Sequence, residues 1–318
     1  MNVLESIRPH VNSLQYVNFD EDAIKNFSSE INKKNLHLSV ISLTKYDWDL
    51  TNLLQLIFFF NSMVFCFWAE KDKPKWTIKV GGEELDGAVA LFRTLEERLH
   101  EDTNFLNVGK ISSMSLPDFK KMFKGNVEIP LLKERYDTFL KTSQILERKF
   151  NGKFTEILKQ SGSNSSKMLA LITENFSTFE DDSLYKGEKV YFQKRTQLQV
   201  KMVNDALLSK KLKGLKDLDV LTAFADYKVP QILRYFGMIK YHKDLAEKVD
   251  NFVLIEKDSI MENEIRIATV WAAELIRQEV AKKYPEVTAS HIDSYLWNKA
   301  QSIKTDILPY HRTYTTAY

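Results

Sequence analysis

The most unusual local string in the chain is Leu221-Thr222-Ala223-Phe224-Ala225-Asp226-Tyr227-Lys228-Val229-Pro230-Gln231, in which an acid stands among apolar and aromatic neighbours just ahead of a helical pattern. Two readings of Asp226 follow. In one, its carboxylate caps the helix opening near Pro230 by accepting backbone N–H groups that have no partner inside the helix. In the other, a partly desolvated carboxylate flanked by Phe224 and Tyr227 stabilises positive charge in a sugar ring as a bond to nitrogen breaks. Glycosidic cleavage passes through an oxocarbenium-like state, so a fixed anion beside the ring acts more strongly on the transition state than on the ground state.

Two further strings carry chemistry. Around Tyr185, Gly187, Val190, Phe192 and Gln197 stand the adjacent cations Lys194 and Arg195. They suit a phosphate, one as a point charge and the other as a planar fork, and they equally suit a solvated helix face. In Asp293-Ser294-Tyr295-Leu296-Trp297-Asn298, Ser294 and Asn298 are four apart and share a helix face, with Leu296 and Trp297 expected in the core. No glycine-rich phosphate loop is present, and no Cys or His cluster has zinc-ligand spacing. The six histidines, at 10, 37, 100, 242, 291 and 311, are scattered singly. Triphosphate hydrolysis and zinc catalysis therefore lose support, and no metal or cofactor is expected.

The elements that must position these groups are mostly helical. Ala23, Ile24, Phe27 and Ile31 recur at helical spacing within Glu21–Asn32. Leu53–Ala69 is the most apolar window, but Gln55, Asn61 and Ser62 interrupt it, which points to a buried helix and not a membrane span. Trp76, Ile78 and Val80 alternate before Gly81-Gly82, with Leu85 and Gly87 on the return, so a small β-hairpin is predicted near 76–86. A helix follows through Ala90, Leu91, Leu95 and Leu99. Ser115-Leu116-Pro117-Asp118 reads as a capped helix start, Pro130–Phe150 as a helix stopped by Asn151-Gly152, and the Ser161–Ser166 stretch as a cap for a helix near Lys167. Further helical patterns span 194–208, 218–225, 230–238, 262–283 and 290–301. Without alternation of strands and helices, the expected architecture is mainly α, a single compact domain over residues 1–318.

Composition narrows the partners. The 318 residues are 44% hydrophobic and 28% charged, the balance of a folded chain. Lys plus Arg number 45 against 43 acids, a formal charge of +2, so no global field draws in a polynucleotide and no direct nucleic-acid partner is expected. The densest basic run, Ser209–Lys216, reads as a solvated loop. The single cysteine, Cys66, sits in Phe65-Cys66-Phe67-Trp68 as a small hydrophobe and fits a reducing compartment. Residues 1–20 lack the pattern of a secretory signal, so a cytoplasmic address, with nuclear presence allowed, is expected, as are a monomeric state and no membrane partner.

Several separated motifs, in order, make the chain resemble the queuosine-salvage family of queuosine 5′-phosphate N-glycosylases. They are Phe65–Trp68, Pro130–Arg135, Phe179–Asp182 with Tyr185-Lys186-Gly187, Lys194–Gln197, Phe224–Gln231, Glu264-Ile265-Arg266 with Trp271, Asp293–Trp297, and Pro309-Tyr310-His311-Arg312-Thr313. The resemblance runs from the first helix to Tyr318. It implies a mainly α fold similar to helical DNA glycosylases and hydrolysis of the N-glycosidic bond of queuosine 5′-phosphate, with release of the base queuine. By the same resemblance Asp226 matches the catalytic aspartate, Phe224 and Ala225 match positions lining the base pocket, and Asp293, Ser294 and Asn298 fall where the base and its cyclopentene diol are read. A carboxylate suits a 7-deazaguanine edge, whose ring N–H and exocyclic amine present two donors side by side, and Asp293 is the candidate. Phosphate contact by Lys194 and Arg195 is inferred from charge alone. A 7-deazapurine has carbon in place of N7 and takes no activating proton there, which raises the importance of stabilising the sugar cation.

The chain also departs from the family's pattern. Ile41-Ser42-Leu43-Thr44 stands where a histidine usually precedes the buried helix, and His37 lies further upstream. Ser294 replaces a tyrosine, Asn298 an acid, and Asn61 and Val64 the usual Asp and Asn. These departures leave open a protein that binds queuine or a related deazapurine nucleotide without cleaving it. A DNA-repair glycosylase of similar helical build is the other alternative.

Overall fold

The computed structural model describes residues 2–36, 44–303 and 307–318; His37 and Ser42, singled out above, lie outside the described residues. Among the described residues fourteen α-helices follow one another: α1 (Val3–Ile7), α2 (Glu21–Ser29), α3 (Leu50–Met63), α4 (Gly87–Glu101), α5 (Val108–Ser112), α6 (Leu116–Met122), α7 (Leu132–Phe150), α8 (Phe154–Ser161), α9 (Ser165–Asn175), α10 (Lys194–Ser209), α11 (Lys228–Tyr235), α12 (Lys243–Asp250), α13 (Ile260–Ala281) and α14 (Ala289–Ser302). The fold is mainly α, as expected. The predicted hairpin is present as β2 (Thr77–Val80) with β3 (Glu83–Asp86), turned by Gly81 and Gly82, both at positive φ. Two antiparallel pairs were not anticipated, β1 (Val17–Phe19) with β6 (Ile239–Tyr241) and β4 (Asp182–Tyr185) with β5 (Glu188–Tyr191). Their strands are only three or four residues long, and neither pair is flanked by a Gly-Gly turn like that of the first hairpin.

Helix α3 is the pivot of one apolar cluster, packed by α4, α7, α8 and α10. Its polar interruptions have partners. Gln55 donates through Nε2 to the carbonyls of Leu106 (3.2 Å) and Gly152 (3.0 Å) and accepts from the amide of Phe154 (3.0 Å), while Asn61 donates to Gln199 Oε1 at 2.8 Å. Gln55 is satisfied at both ends of its amide and Asn61 through its Nδ2, which lowers the cost of burying them, so the segment serves as a core helix. No helix among the described residues is long and apolar enough to cross a membrane.

Two helical expectations fail for one reason, the capture of backbone groups by side chains. The apolar window runs to Ala69, yet α3 stops at Met63, because the buried Arg135 guanidinium takes the carbonyls of Met63, Phe65 and Cys66 and lies 4.4 Å from the Phe65 and Phe67 ring centres. Residues 218–225 form only a short turn at Leu218–Val220 before the chain extends. There the amide of Thr222 donates to Gln197 Oε1 (2.7 Å) and that of Phe224 to Asp293 Oδ1 (2.8 Å), bonds that replace a helical ladder. A second apolar cluster, built from α2, α11, α13 and α14, begins beyond this extended strap.

Candidate active site

The strap Leu221–Tyr227 leaves the first cluster, whose last buried member is Leu221, and enters the second, where Ala223 is buried. Along this seam lies a cavity of about 350 Å³. Its walls are strongly aromatic, with Phe65, Phe67, Trp76, Phe224, Trp297 and Tyr310 among them. Such walls suit a flat heterocycle held by stacking and apolar contact.

Asp226 lines this cavity and is buried. Its Oδ1 accepts the amides of Lys228 (2.8 Å) and Val229 (2.9 Å) at the start of α11, so the capping reading is realised. Both bonds land on the same oxygen, and the cap leaves Oδ2 unengaged. The cap therefore orients the carboxylate at the cavity, and capping does not compete with the second reading for Oδ2. Burial raises its pKa, opposed chiefly by the ammonium of Lys194 and by the two capping amides.

Lys194 also lines the cavity and is buried, contrary to a solvated helix face. Its Nζ donates to the carbonyl of Val64 at 3.2 Å. Burial lowers its pKa to about 8, while Asp226, Asp293 and Asp181 act in the opposite direction. Asp293 lines the same space and accepts the Phe224 amide. Burial, with Asp226 adding to it, pushes the Asp293 carboxyl well above the carboxylate range. The amides and Lys194 favour charge on Asp226, and Asp226 in turn disfavours charge on Asp293.

Ser294 and Asn298 reach the cavity from α14. Ser294 Oγ donates to the carbonyl of Ser290 (3.0 Å), and Asn298 Nδ2 to that of Ser294 (2.7 Å), leaving the Asn298 side-chain oxygen free of that contact. Phe224 is in the wall as expected. Val64, which also departs from the family's pattern, lies in the wall too.

Three expectations need correction. Arg195 does not line the cavity. Its guanidinium donates to the carbonyls of Ser62, Thr178 and Ala317 and lies 5.3 Å from the ring centres of Phe65 and Phe179, so it neither faces solvent nor is available to phosphate. The methyl group of Ala225 points into a separate apolar cluster with Val190, Phe192 and Ile267, and its carbonyl accepts from Arg266 Nε at 3.1 Å. Trp297, expected in the core, is half-buried: it packs against the second apolar cluster and also borders the cavity.

Other wall residues escaped sequence reasoning. The first turn of α4, Gly87 to Val89, borders the cavity beside Lys75, Asp86 and Lys228. Lys228 has its pKa lowered by burial and then by neighbouring Lys75, so two ammonium groups share this rim next to an open helix N-terminus. Tyr310 and Tyr318 come from the C-terminal segment, where only the Pro309–Thr313 motif offered a signal.

A family model described as queuosine salvage protein matches residues 44–318. Among curated relatives, a queuosine 5′-phosphate N-glycosylase/hydrolase of Sphaerobacter thermophilus is 34% identical over 266 residues, 84% of this chain and 81% of its own. The protein of the same name from Mus musculus is 31% identical over 268 residues (81% and 79%), and that from Nematostella vectensis 29% over 301 residues (89% and 84%). On the extent of the family match and of these identities, the chain belongs to the queuosine salvage protein family.

Proposed function

We propose that this protein hydrolyses the N-glycosidic bond of queuosine 5′-phosphate and releases queuine. The observation that carries the reading is the Asp226 carboxylate, anchored by one oxygen to the start of α11 and set in the wall of an aromatic cavity with Lys194 as its principal counter-charge. As the bond from the ribose C1′ to the base nitrogen lengthens, positive charge spreads over the ring, and this preoriented anion stabilises it. Water then adds to C1′, and the departing nitrogen gains a proton. In a cavity of low polarity the attraction is far larger than the same charge provides in water.

Phe67, Trp76, Tyr310 and Trp297 supply flat walls for the deazapurine, and Asp293, Ser294 and Asn298 read its polar edge. Lys194 serves chiefly as the partner of Asp226. The 5′-phosphate falls to the rim, where Lys75, Lys228 and the first amides of α4 converge, a better match than the buried fork of Arg195. A formal charge of +2 favours a small nucleotide over a polynucleotide, and the protein acts on it as a monomer.

The test is incubation of purified protein with queuosine 5′-phosphate, queuosine and guanosine 5′-phosphate, with chromatographic detection of free base. Release from the first alone is expected. Folded protein that binds queuine but frees no base from queuosine 5′-phosphate would end this reading.

A further inference from the structure

Behind the cavity wall lies a polar device whose charged groups stay out of the cavity and meet its lining only at the backbone of Lys194 and the side chain of Tyr318. Arg266 of α13 is buried and projects a guanidinium whose faces lie against aromatic rings, 3.9 Å from the Phe192 centre and 4.3 Å from the Tyr318 centre. Its edges are fully directed. Nη1 and Nη2 donate as a fork to Asp181 Oδ1 (2.7 Å) and Oδ2 (2.8 Å), and Nε donates to the carbonyl of Ala225 (3.1 Å). Glu262, one turn earlier on α13, places Oε1 3.7 Å from Nη1 and accepts the Tyr318 hydroxyl at 3.0 Å.

Asp181 completes the connection. Its Oδ2 accepts the amide of Lys194 at 2.8 Å, and its carbonyl accepts the amides of Phe192 (3.0 Å) and Gln193 (3.1 Å). Gln193, the residue before α10, is in the left-handed region and makes no side-chain cap, so Asp181 caps α10 from outside the helix. One end of the ion pair therefore holds the peptide group immediately before Asp226, and the other holds the backbone of Lys194.

We propose that Arg266 and Asp181 are positioning residues, a rigid bridge between the Ala225 carbonyl and the Lys194 amide that sets the separation of Asp226 and Lys194 across the cavity. The inference rests on the reading of Asp226 as the group that stabilises the sugar cation. A bidentate guanidinium–carboxylate pair fixes both distance and plane, which a lysine in place of Arg266 does not reproduce. Backbone carriers displaced by an ångström or less alter the charge geometry at C1′ while leaving the walls of Phe67, Trp76, Tyr310 and Trp297 and the phosphate rim, none of which meets Arg266 or Asp181, in place.

The experiment compares Arg266→Lys, Asp181→Asn, Asp226→Asn and the double variant Arg266→Lys/Asp226→Asn, each checked for folding by circular dichroism and assayed for base release from queuosine 5′-phosphate. For folded Arg266→Lys, kcat falls about 10- to 100-fold with KM within about threefold, since misplacement of a reacting group costs turnover more than binding. The double variant is no slower than Asp226→Asn alone, because the bridge acts through Asp226. Wild-type kcat in folded Arg266→Lys, a loss confined to KM, or a further multiplicative loss in the double variant overturns the proposal. Should Arg266→Lys not fold, Asp181→Asn decides by the same kcat and KM criterion. Normal turnover by Asp226→Asn would instead defeat the underlying catalytic reading, an outcome distinct from failure of the bridge.

Discussion

The amide of Phe224 donates to Asp293 Oδ1 at 2.8 Å, joining residues 69 positions apart and holding the strap before Asp226 against α14. Replacing Asp293 by Ala leaves a buried N–H without a partner, at a cost of ~1–3 kcal/mol. Asp293→Asn keeps an acceptor for that amide. We expect a lower thermal midpoint for Asp293→Ala only, with a raised KM for queuosine 5′-phosphate in both variants, read by calorimetry and steady-state assays.

Asp226→Asn separates the two duties of that side chain. The amide oxygen still caps α11 through Lys228 and Val229, so stability in urea changes by less than ~1 kcal/mol. The charge is lost, and kcat falls by roughly 10²–10³-fold or more, the scale of removing one preoriented electrostatic group. Asp226→Ala loses both, adding about 1 kcal/mol of destabilisation.

Activity and stability should respond oppositely to alkali. Lys194 is charged only below its lowered pKa of about 8, and without it Asp226 loses its principal counter-charge, so kcat declines as pH rises through that value. For stability, a lysine whose folded pKa is depressed destabilises the fold at neutral pH, and the penalty disappears as pH rises above about 8 toward the unfolded value. Lys194→Met should abolish the alkaline limb of kcat. It should also move the acid limb upward, because burial would then raise Asp226 with less opposition. The measurement is a pH series of kcat beside thermal midpoints.

Arg195→Met tests a structural role. The carbonyls of Ser62, Thr178 and Ala317 lose their donor, a change worth ~3 kcal/mol or more of unfolding free energy. Folded material should retain its KM for queuosine 5′-phosphate. A KM that rises with increasing negative charge on the substrate would return Arg195 to phosphate binding.

Much was legible in local chemistry. Ser115, followed by Pro117 and Asp118, caps α6 as its types predict, with Ser115 Oγ accepting the Asp118 amide at 3.2 Å. Asn151 ends α7 in the left-handed conformation, as its place before Gly152 suggested. The ordered motifs carry family membership, and the acid among aromatics at 226 is evident from its immediate neighbours. These features depend on residues within a few positions of one another, the range over which capping, turn preference and apolar period act.

What the chain's order of residues could not disclose is direction. Lys194 and Arg195 are adjacent cations on one helix, and successive side chains there diverge by about 100°, so one enters the cavity and the other is spent on core carbonyls. Likewise the cavity wall joins residues 64–67, 75–76, 224, 226–229, 310 and 318, brought together only when two apolar clusters close along the strap. Sequence alone disclosed the mainly α class, the first hairpin, the family and the acid at 226. Tertiary structure decided which charges face that acid, because desolvation and hydrogen-bond capture depend on neighbours far away along the chain.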